Sequence, residues 1–336
     1  SFDYYIRDTK DMVVRRTYPA VLGTTGGKEN LADMRTKGME LSFTWNDEIK
    51  NVAGSPLSYS VGIGISDNTS EITRYDNPTK SLNETYYEGM KIGEIWGYET
   101  EGFIQDKTEA AEMADRQSFI STTWIPGDIK YADLDGNGKI NQGNNRVGDS
   151  GDRKIIGNNT PRYNFNINLG GSWKGFDLRL FFQGTMKRDI WLDSPIFWGY
   201  DGMWSSCLND YHVDNSWSAT NTNAYYPVPL FDKRSKQVQS KYIQNGAFIR
   251  LKDVTLSYTI PKTLTSRIGI QQLKVYVSGQ NLWEATGLYK YLDPDVVGSR
   301  RTSTADNKTV GDLAADAGGR VYPFTRSYSF GINVTF

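Results

Sequence analysis

Residues 162–184 carry the feature that most constrains the fold of this chain. They read RYNFNINLGGSW and GFDLRLFFQG on either side of Lys174, and in both halves apolar side chains alternate with amides, charges or glycines. A period of two places successive side chains on opposite faces of a β-strand. The stretch therefore predicts a hairpin with one apolar and one polar face, whose strands are about the 9–11 residues that a tilted strand needs to cross a bilayer.

The same alternation recurs along the chain and predicts eight amphipathic strands. Besides the two strands of the 162–184 hairpin, they cover residues 2–16, 36–46, 57–66, 248–260, 272–282 and 328–336. The start of the 248–260 strand breaks phase at Ile249 and Leu251, which predicts a β-bulge or a change of register at that point.

The connections between the predicted strands alternate between long and short. They cover residues 17–31, 46–56, 74–161, 173–175, 191–245, 261–271 and 287–320. Bacterial outer-membrane barrels alternate long extracellular loops with short periplasmic turns in the same way. The pattern therefore predicts an all-β fold, an antiparallel transmembrane β-barrel with long extracellular loops. The alternative is a soluble β-sandwich or propeller fragment whose apolar face covers a core.

Eight strands close only a narrow barrel, whose interior is filled by side chains. The predicted inward positions Ser58, Ser60, Gly62 and Gly64 are small, and the long loops exceed what a narrow barrel needs. We therefore interpret the eight strands as the C-terminal part of a wider barrel. The chain also begins at Ser1 just before a predicted strand, and we expect it to be a piece of a longer polypeptide.

Charge and cysteine content exclude several classes of protein. Lys plus Arg is 38 and Asp plus Glu is 39, so the net charge of −1 argues against a nucleic-acid-binding protein. The sequence has one cysteine, Cys207, which excludes an intrachain disulfide. It lacks any apolar run of about 18 residues, so a transmembrane helix is not expected.

Several motifs together resemble the C-terminal third of SusC/RagA-type TonB-dependent outer-membrane transporters. They cover essentially the whole chain, and no single one would suffice. The motifs are GDIKYADLDGNGKI (127–140), DRKIIGN (152–158), PRY (161–163), KGFDL (174–178), FFQG (181–184), FIRLK (248–252), GQNL (279–282), YP (322–323) and YSFG (328–331).

The resemblance implies an architecture and a function. Such transporters are barrels of about 22 strands closed by an N-terminal plug, and they lie in the outer membrane of Gram-negative bacteria. They import bulky nutrients, often oligosaccharides and sometimes peptides, under a SusD-like surface lipoprotein and with energy supplied through TonB. Plug and TonB box are expected to lie outside this sequence. The final Phe336 resembles the aromatic residue that the barrel-assembly machinery recognises, or is a lipid-facing girdle residue.

An acidic turn within residues 133–141 resembles the calcium loop of an EF-hand. The oxygen ligands that this spacing predicts are Asp133, Asp135, Asn137, the Lys139 carbonyl and Asn141. Gly138 stands at the sixth position, where the loop turns sharply. Ca²⁺ takes 6–8 oxygen ligands, so a structural Ca²⁺ is expected here. A metal-free turn rich in Asn and Gly is the alternative.

The last ligand of the predicted calcium site is displaced along the chain. Position 12 of the loop is Asn144, which cannot supply a bidentate carboxylate. The resemblance implies an Asp directly before an Arg at this position. Asp152 precedes Arg153 eight residues later, so we expect an insertion that returns Asp152 as the closing ligand, with Asp149 as the alternative.

The long loops are rich in aromatic residues that suit the binding of sugars. Flat aromatic faces stack on sugar rings, and nearby carboxylates and amides bind the hydroxyl groups. The segment 191–204 leaves the fifth predicted strand on the extracellular side. The predicted substrate contacts are Trp191, Trp198, Tyr200, Asp201 and Trp204. The alternative is that these aromatics form membrane girdles or small loop cores.

Three functional classes follow from the sequence. Active import of a bulky nutrient, an oligosaccharide rather than a peptide, is the favoured one, with loops 74–161 and 191–245 contacting the lipoprotein. The second is a soluble glycan-binding module. The third is a glycan hydrolase, for which Cys207, His212 and loop aspartates offer only weak signals. The protein is therefore not expected to be an enzyme.

Overall fold

A computed structural model describes residues 1–15, 21, 23, 26–83, 86–200, 207–297 and 322–336. Predicted positions Asp201 and Trp204 lie outside the described residues. The strands within these ranges, in chain order, are β1 (Phe2–Arg15), β2 (Lys28–Val52), β3 (Ser55–Arg74), β4 (Glu94–Tyr98), β5 (Thr100–Phe103), β6 (Ile129–Tyr131), β7 (Arg153–Asn158), β8 (Arg162–Trp173), β9 (Phe176–Lys187), β10 (Asp189–Ile190), β11 (Gln244–Asn245), β12 (Phe248–Thr259), β13 (Gln272–Thr286) and β14 (Ser327–Thr335).

Short helices lie between these strands. They are α1 (Lys107–Arg116), α2 (Pro195–Trp198), α3 (Asp210–Asn215) and α4 (Lys262–Thr265), with 3₁₀ turns at Arg234–Lys236, Ser240–Tyr242 and Ser266–Ile268. No helix in the described part of the chain is both long and apolar enough to span a membrane.

Eight of the described strands form one antiparallel sheet in the order β1-β2-β3-β8-β9-β12-β13-β14. Within this sheet each strand pairs with the next sheet strand along the chain. Strands β4–β7, β10 and β11 belong to the long loops, which are insertions between neighbouring strands of the sheet. The prediction of eight antiparallel strands is confirmed for the described residues.

Strand register gives the sheet two chemically different faces. Phe43 pairs with Ile63, which pairs with Ile167 on β8. One residue along, Thr44 pairs with Gly62, which pairs with Asn168. Phe43 remains 52% exposed on the apolar face. The apolar face therefore has no covering layer among the described residues.

The predicted bulge is present in β12. Its register shifts between Leu251 and Asp253 against both β9 and β13. Lys252 occupies the extra position, which restores Asp253 to the polar face. The broken phase in the sequence is thus the local signature of one inserted residue.

β2 and β3 extend well beyond their predicted ranges of 36–46 and 57–66. β2 begins at Lys28, inside the predicted loop 17–31, and β3 runs on to Arg74. In these extensions both faces carry polar side chains, and charged pairs cross between strands, including Arg35 with Asp8 at 2.7 Å. A search for alternating apolar residues misses such strands because pairing there depends on backbone hydrogen bonds and charge.

The hydrophobic core of the described chain lies mainly in the loops. The predicted loops 74–161 and 191–245 share it, together with residues that follow β13. Its fully buried members include Ile104, Ile129, Tyr131, Ile140, Leu192, Phe197 and Tyr242. The two loops therefore fold as one packed layer at one end of the sheet.

Candidate functional site

An aromatic core dominates the loop layer. The Phe197 ring lies at its centre, with centroids of surrounding rings between 5.2 and 6.5 Å away. The neighbouring rings belong to Trp198, Tyr225, Tyr226, Tyr242 and Tyr289. Phe197 is placed by the short helix α2, which Pro195 begins and the Ser194 side chain caps. Segments distant in sequence thereby meet on one ring.

Two of the predicted substrate contacts belong to this aromatic core. Trp191 and Trp198 are 6% and 3% exposed, and their rings lie 5.8 Å apart. The Trp198 Nε1 donates to the Leu192 carbonyl at 2.9 Å. Enclosed indoles offer no free face to a sugar ring, so the geometry opposes direct substrate contact by these two and assigns them to loop packing. For Tyr200, Asp201 and Trp204, substrate contact stays a prediction.

Tyr200 is half-buried and lies beside a residue that the sequence did not single out. The Phe231 ring is 6.4 Å from the Tyr200 ring, and Phe231 is 60% exposed. The Lys236 ammonium donates to the Tyr200 carbonyl oxygen and holds the two segments together. The exposed Phe231 ring and the half-buried Tyr200 ring beside it are the better candidates for ligand contact. Their proximity follows from tertiary folding and leaves no sequence signal.

The His212 side chain packs in the aromatic core, and its contacts there are structural rather than catalytic. Its Nε2 lies 3.0 Å from the Phe197 carbonyl oxygen, and the Asn209 backbone N–H donates to Nδ1 at 3.3 Å. This pattern assigns the proton to Nε2. Burial lowers the pKa of His212. Cys207 is exposed, while His212 caps α3 and packs against Tyr226 and Tyr289.

Acidification is expected to loosen the loop around His212. A second proton on the His212 ring would sit at Nδ1 and point at the Asn209 N–H. Two donors would then face each other without an acceptor. Because the folded-state pKa is lowered, stability from neutral His212 is complete above about pH 6.5 and is lost as pH falls below it. Hydrogen exchange of residues 210–226 should accelerate at pH 5. His212→Gln should reduce this pH dependence; an unchanged dependence would contradict it.

The acidic turn brings three predicted metal ligands together. Carboxylate oxygens of Asp133, Asp135 and Asp152 lie within 4.8 Å of one another. Asp152 is fully buried and accepts from the Leu134 and Asn141 backbone N–H groups at 2.8 and 2.7 Å. The insertion therefore does return Asp152 to the cluster.

Asp133 and the predicted amide ligands stabilise the turn by accepting hydrogen bonds from its backbone N–H groups. Asp133 accepts from the Gly136 and Gly138 N–H groups at 2.7 Å, which lowers its pKa and favours the charged form. Asn137 Oδ1 accepts from Lys139 N at 2.8 Å, and Asn141 Oδ1 accepts from Gly143 N at 2.6 Å. Asp149 instead accepts from the Asn144 amide. The oxygens suit a hard cation such as Ca²⁺.

A buried charge cluster lies where the polar face of the sheet meets the loops. Arg250 pairs with Gln183 and with Glu284 across the sheet, which places it on the polar face. Its guanidinium is 3% exposed, binds Glu284, and lies 2.5 Å from Asp293. We call Arg250, Lys252, Glu284, Asp293 and Asp295 the Arg250 cluster.

The Arg250 cluster joins segments that are distant in sequence. Lys252 pairs with Asp295 at 2.5 Å, and its ammonium lies 4.1 Å from the centroid of the Phe324 ring. The Phe324 backbone N–H donates to Asp293 at 3.0 Å. The cluster therefore fixes both described ends of the last long loop to β12.

The polar face of the sheet carries a shallow groove of about 270 Å³. We call it the polar groove, and its lining includes Thr44, Gly62, Gly64, Asn166 and Asn168. The Asn168 amide donates to Asn166 at 3.1 Å. A Cβ at Gly64 would collide with the Asn166 amide, so the glycine makes room for the amide row. The groove presents hydrogen-bonding groups to water.

Curated relatives cover the chain from end to end. No protein-family model matches it. TonB-dependent receptors P3 and P26 of Formosa agariphila are 30% identical over 348 residues and 24% identical over 350 residues. The matches cover 100% and 99% of this chain and 32% of each relative. The chain therefore spans about a third of the length of the curated relatives it matches.

Solved structures of RagAB share the fold. One is described as a peptide transporter and another as a peptide importer in an open-open state; their TM-scores are 0.66 and 0.65 at 20% and 22% identity. The likeness covers 100% of this chain and 33% and 32% of those chains. The chain thus matches TonB-dependent receptors over its whole length, as its SusC/RagA-type motifs predicted, and corresponds to about a third of such a protein.

Proposed function

We propose that this chain forms the C-terminal part of a transmembrane barrel that imports a bulky nutrient through the outer membrane of a Gram-negative bacterium. The observation that carries the proposal is the arrangement of the sheet, with an exposed apolar face and a hydrated polar groove on the other side. In a lipid bilayer that arrangement is stable, because apolar side chains face lipid and polar ones face a wet lumen. The complete barrel would have about 22 strands.

The partners follow from the receptor family. Energy would reach the transporter through TonB and a plug encoded outside this chain, and a SusD-like lipoprotein would cover the extracellular side. The shared core of loops 74–161 and 191–245 supports this, because it makes the two loops one platform on which a lid can rest. No part of the proposal requires catalysis by this chain.

Two kinds of cargo remain candidates. The half-buried ring of Tyr200 and the exposed ring of Phe231 favour an oligosaccharide, since such rings stack on sugars. The description of RagAB as a peptide transporter favours a peptide. We keep the oligosaccharide as the first candidate.

The composition of the native complex tests the proposed transporter. Extraction in detergent followed by peptide mass mapping should recover these residues in a chain about three times as long, together with a lipoprotein. Extraction without detergent, as a free soluble domain, would contradict the proposal and favour a glycan-binding module.

Replacement of the Tyr200 and Phe231 rings tests the cargo. Tyr200→Ala with Phe231→Ala should weaken oligosaccharide binding by roughly 2- to 10-fold, the loss expected for about 0.5–1.5 kcal/mol of aromatic contact. Calorimetry on the intact complex measures it. Phe119→Ala removes another exposed loop ring, 58% exposed, and serves as the control. Equal affinities for the two variants would remove Tyr200 and Phe231 from the site.

We also propose that the acidic turn holds a structural Ca²⁺. Asp133, Asp135, Asn137, the Lys139 carbonyl, Asn141 and Asp152 would supply oxygens, and the ion would tie the 144–151 insertion to the turn. Chelation should lower stability by about 1–2 kcal/mol relative to the Ca²⁺-loaded protein, measured as faster proteolysis of residues 133–152. Asp152→Asn should abolish the Ca²⁺ response, whereas Asp149→Asn should retain it. A Ca²⁺ response that survives in Asp152→Asn would exclude this site.

A further inference from the structure

Lys241 is a half-buried cation in the loop layer that lacks an acidic partner. Its ammonium lies 4.7 Å from the Phe103 ring centroid, 5.7 Å from that of Tyr242 and 5.9 Å from that of Tyr225. It forms neither a hydrogen bond nor an ion pair with any residue that the structure describes. Three aromatic rings therefore surround a charged group whose N–H donors have no acceptor among the described residues.

Other half-buried lysines show what is missing at Lys241. Lys130 pairs with Glu109 at 3.0 Å, and Lys252 pairs with Asp295. Burial lowers the pKa of Lys241, and no neighbouring carboxylate opposes this effect. Aromatic faces stabilise an ammonium, but they do not accept its hydrogen bonds in the way a carboxylate does.

The surroundings of Lys241 offer a second polar group. The Tyr225 hydroxyl accepts from the Gln244 amide at 2.9 Å, so its own proton is available for donation. The Tyr225 ring is half-buried at the edge of the aromatic core. The Lys241 ammonium thus lies 5.9 Å from the centre of a partly exposed ring that carries a hydroxyl donor.

We propose that Lys241 and the Tyr225 hydroxyl bind a carboxylate of the imported cargo. A carboxylate would satisfy the ammonium and accept the hydroxyl proton, and the ring beside them would contact the apolar part of the ligand. An acidic sugar and a peptide both carry this group. The cargo assignment rests on the proposed import function, while the binding site itself is tested without transport.

Protection from acylation tests the site directly. The complete receptor with its lipoprotein is treated in detergent with an acetylating N-hydroxysuccinimide ester, and the rate at each lysine is followed by peptide mass spectrometry. Trigalacturonate and trialanine are the carboxylate probes, with trialanine amide and sodium chloride at equal ionic strength as controls. At least one carboxylate probe should slow acylation of Lys241 about tenfold. Lys107, exposed at the start of α1, should be unaffected.

Two variants complete the experiment. Lys241→Met keeps the length of the side chain and should weaken binding of the protecting probe about tenfold or more, whereas Lys107→Met should leave it unchanged. Protection by trigalacturonate alone identifies an acidic sugar, and protection by trialanine alone identifies a peptide carboxylate. Equal acylation of Lys241 with every carboxylate probe and its control, or unchanged affinity in Lys241→Met, overturns the site. Import is assayed separately, so transport without protection refutes only this inference, and protection without transport refutes only the proposed function.

Discussion

Replacing Phe43 by Arg is expected to lower barrel stability by about 2–4 kcal/mol, the cost of a charge on a lipid-facing strand near the bilayer midplane. Phe43 lies in the middle of the outward apolar row of β2, which Lys37 and Asp47 bound. Thr44→Arg changes the next residue, on the polar groove, and should cost less than about 1 kcal/mol because the lumen is wet. Urea unfolding of the complete protein in vesicles measures both.

The comparison of Phe43→Arg with Thr44→Arg makes the prediction specific to the face of the sheet. Both substitutions insert the same side chain into the same strand, so propensity and chain entropy change almost equally. The face of the sheet differs, and with it the side chain removed, Phe on the apolar face and Thr on the polar face. Equal losses, or a larger loss for Thr44→Arg, would mean that the apolar face does not meet lipid.

Replacing Arg250 by Met is expected to cost about 3–5 kcal/mol, because it leaves the carboxylates of Glu284 and Asp293 close together without their buried cation. The loss should be local at first, with faster hydrogen exchange in residues 288–297. Arg35→Met breaks an ion pair whose side chains are 48% and 41% exposed, and should cost about 0–1 kcal/mol.

A second variant separates charge from packing in the Arg250 cluster. Adding Asp293→Asn to Arg250→Met removes one of the stranded charges and should recover part of the lost stability. If Arg250→Met behaves like Arg35→Met, the cluster is not a stabilising element, and the last long loop is held in another way.

Alternation predicted the strands of the sheet well wherever one face is apolar. The phase break at Ile249 and Leu251 even predicted the bulge in β12. The extensions of β2 and β3 escaped because polar residues on both faces leave no period of two. For those segments, cross-strand partners such as Asp8 and Arg35 decide the pairing, and they are 27 residues apart.

A site could be predicted where its residues lie close together in the sequence. The acidic turn brings Asp133, Asp135 and Asp152 together. The spacing of the loop predicted the first two, and the family resemblance predicted Asp152. Trp191 and Trp198 were predicted to contact substrate, but an aromatic-rich loop has the same composition whether its rings face solvent or each other. The contacts of the Arg250 cluster and of Lys241 join residues from distant segments. No single stretch of sequence therefore predicts either arrangement.

Spin labels along β2 test the orientation of the sheet most directly. After Cys207 and any cysteine elsewhere in the complete protein are replaced by Ser, single cysteines are introduced at each position from 40 to 45 of the protein in lipid vesicles. Labels at 41, 43 and 45 should be accessible to oxygen dissolved in the bilayer, and labels at 40, 42 and 44 to a water-soluble nickel chelate. Odd positions shielded from both reagents would place the apolar face against a protein core and contradict the membrane barrel.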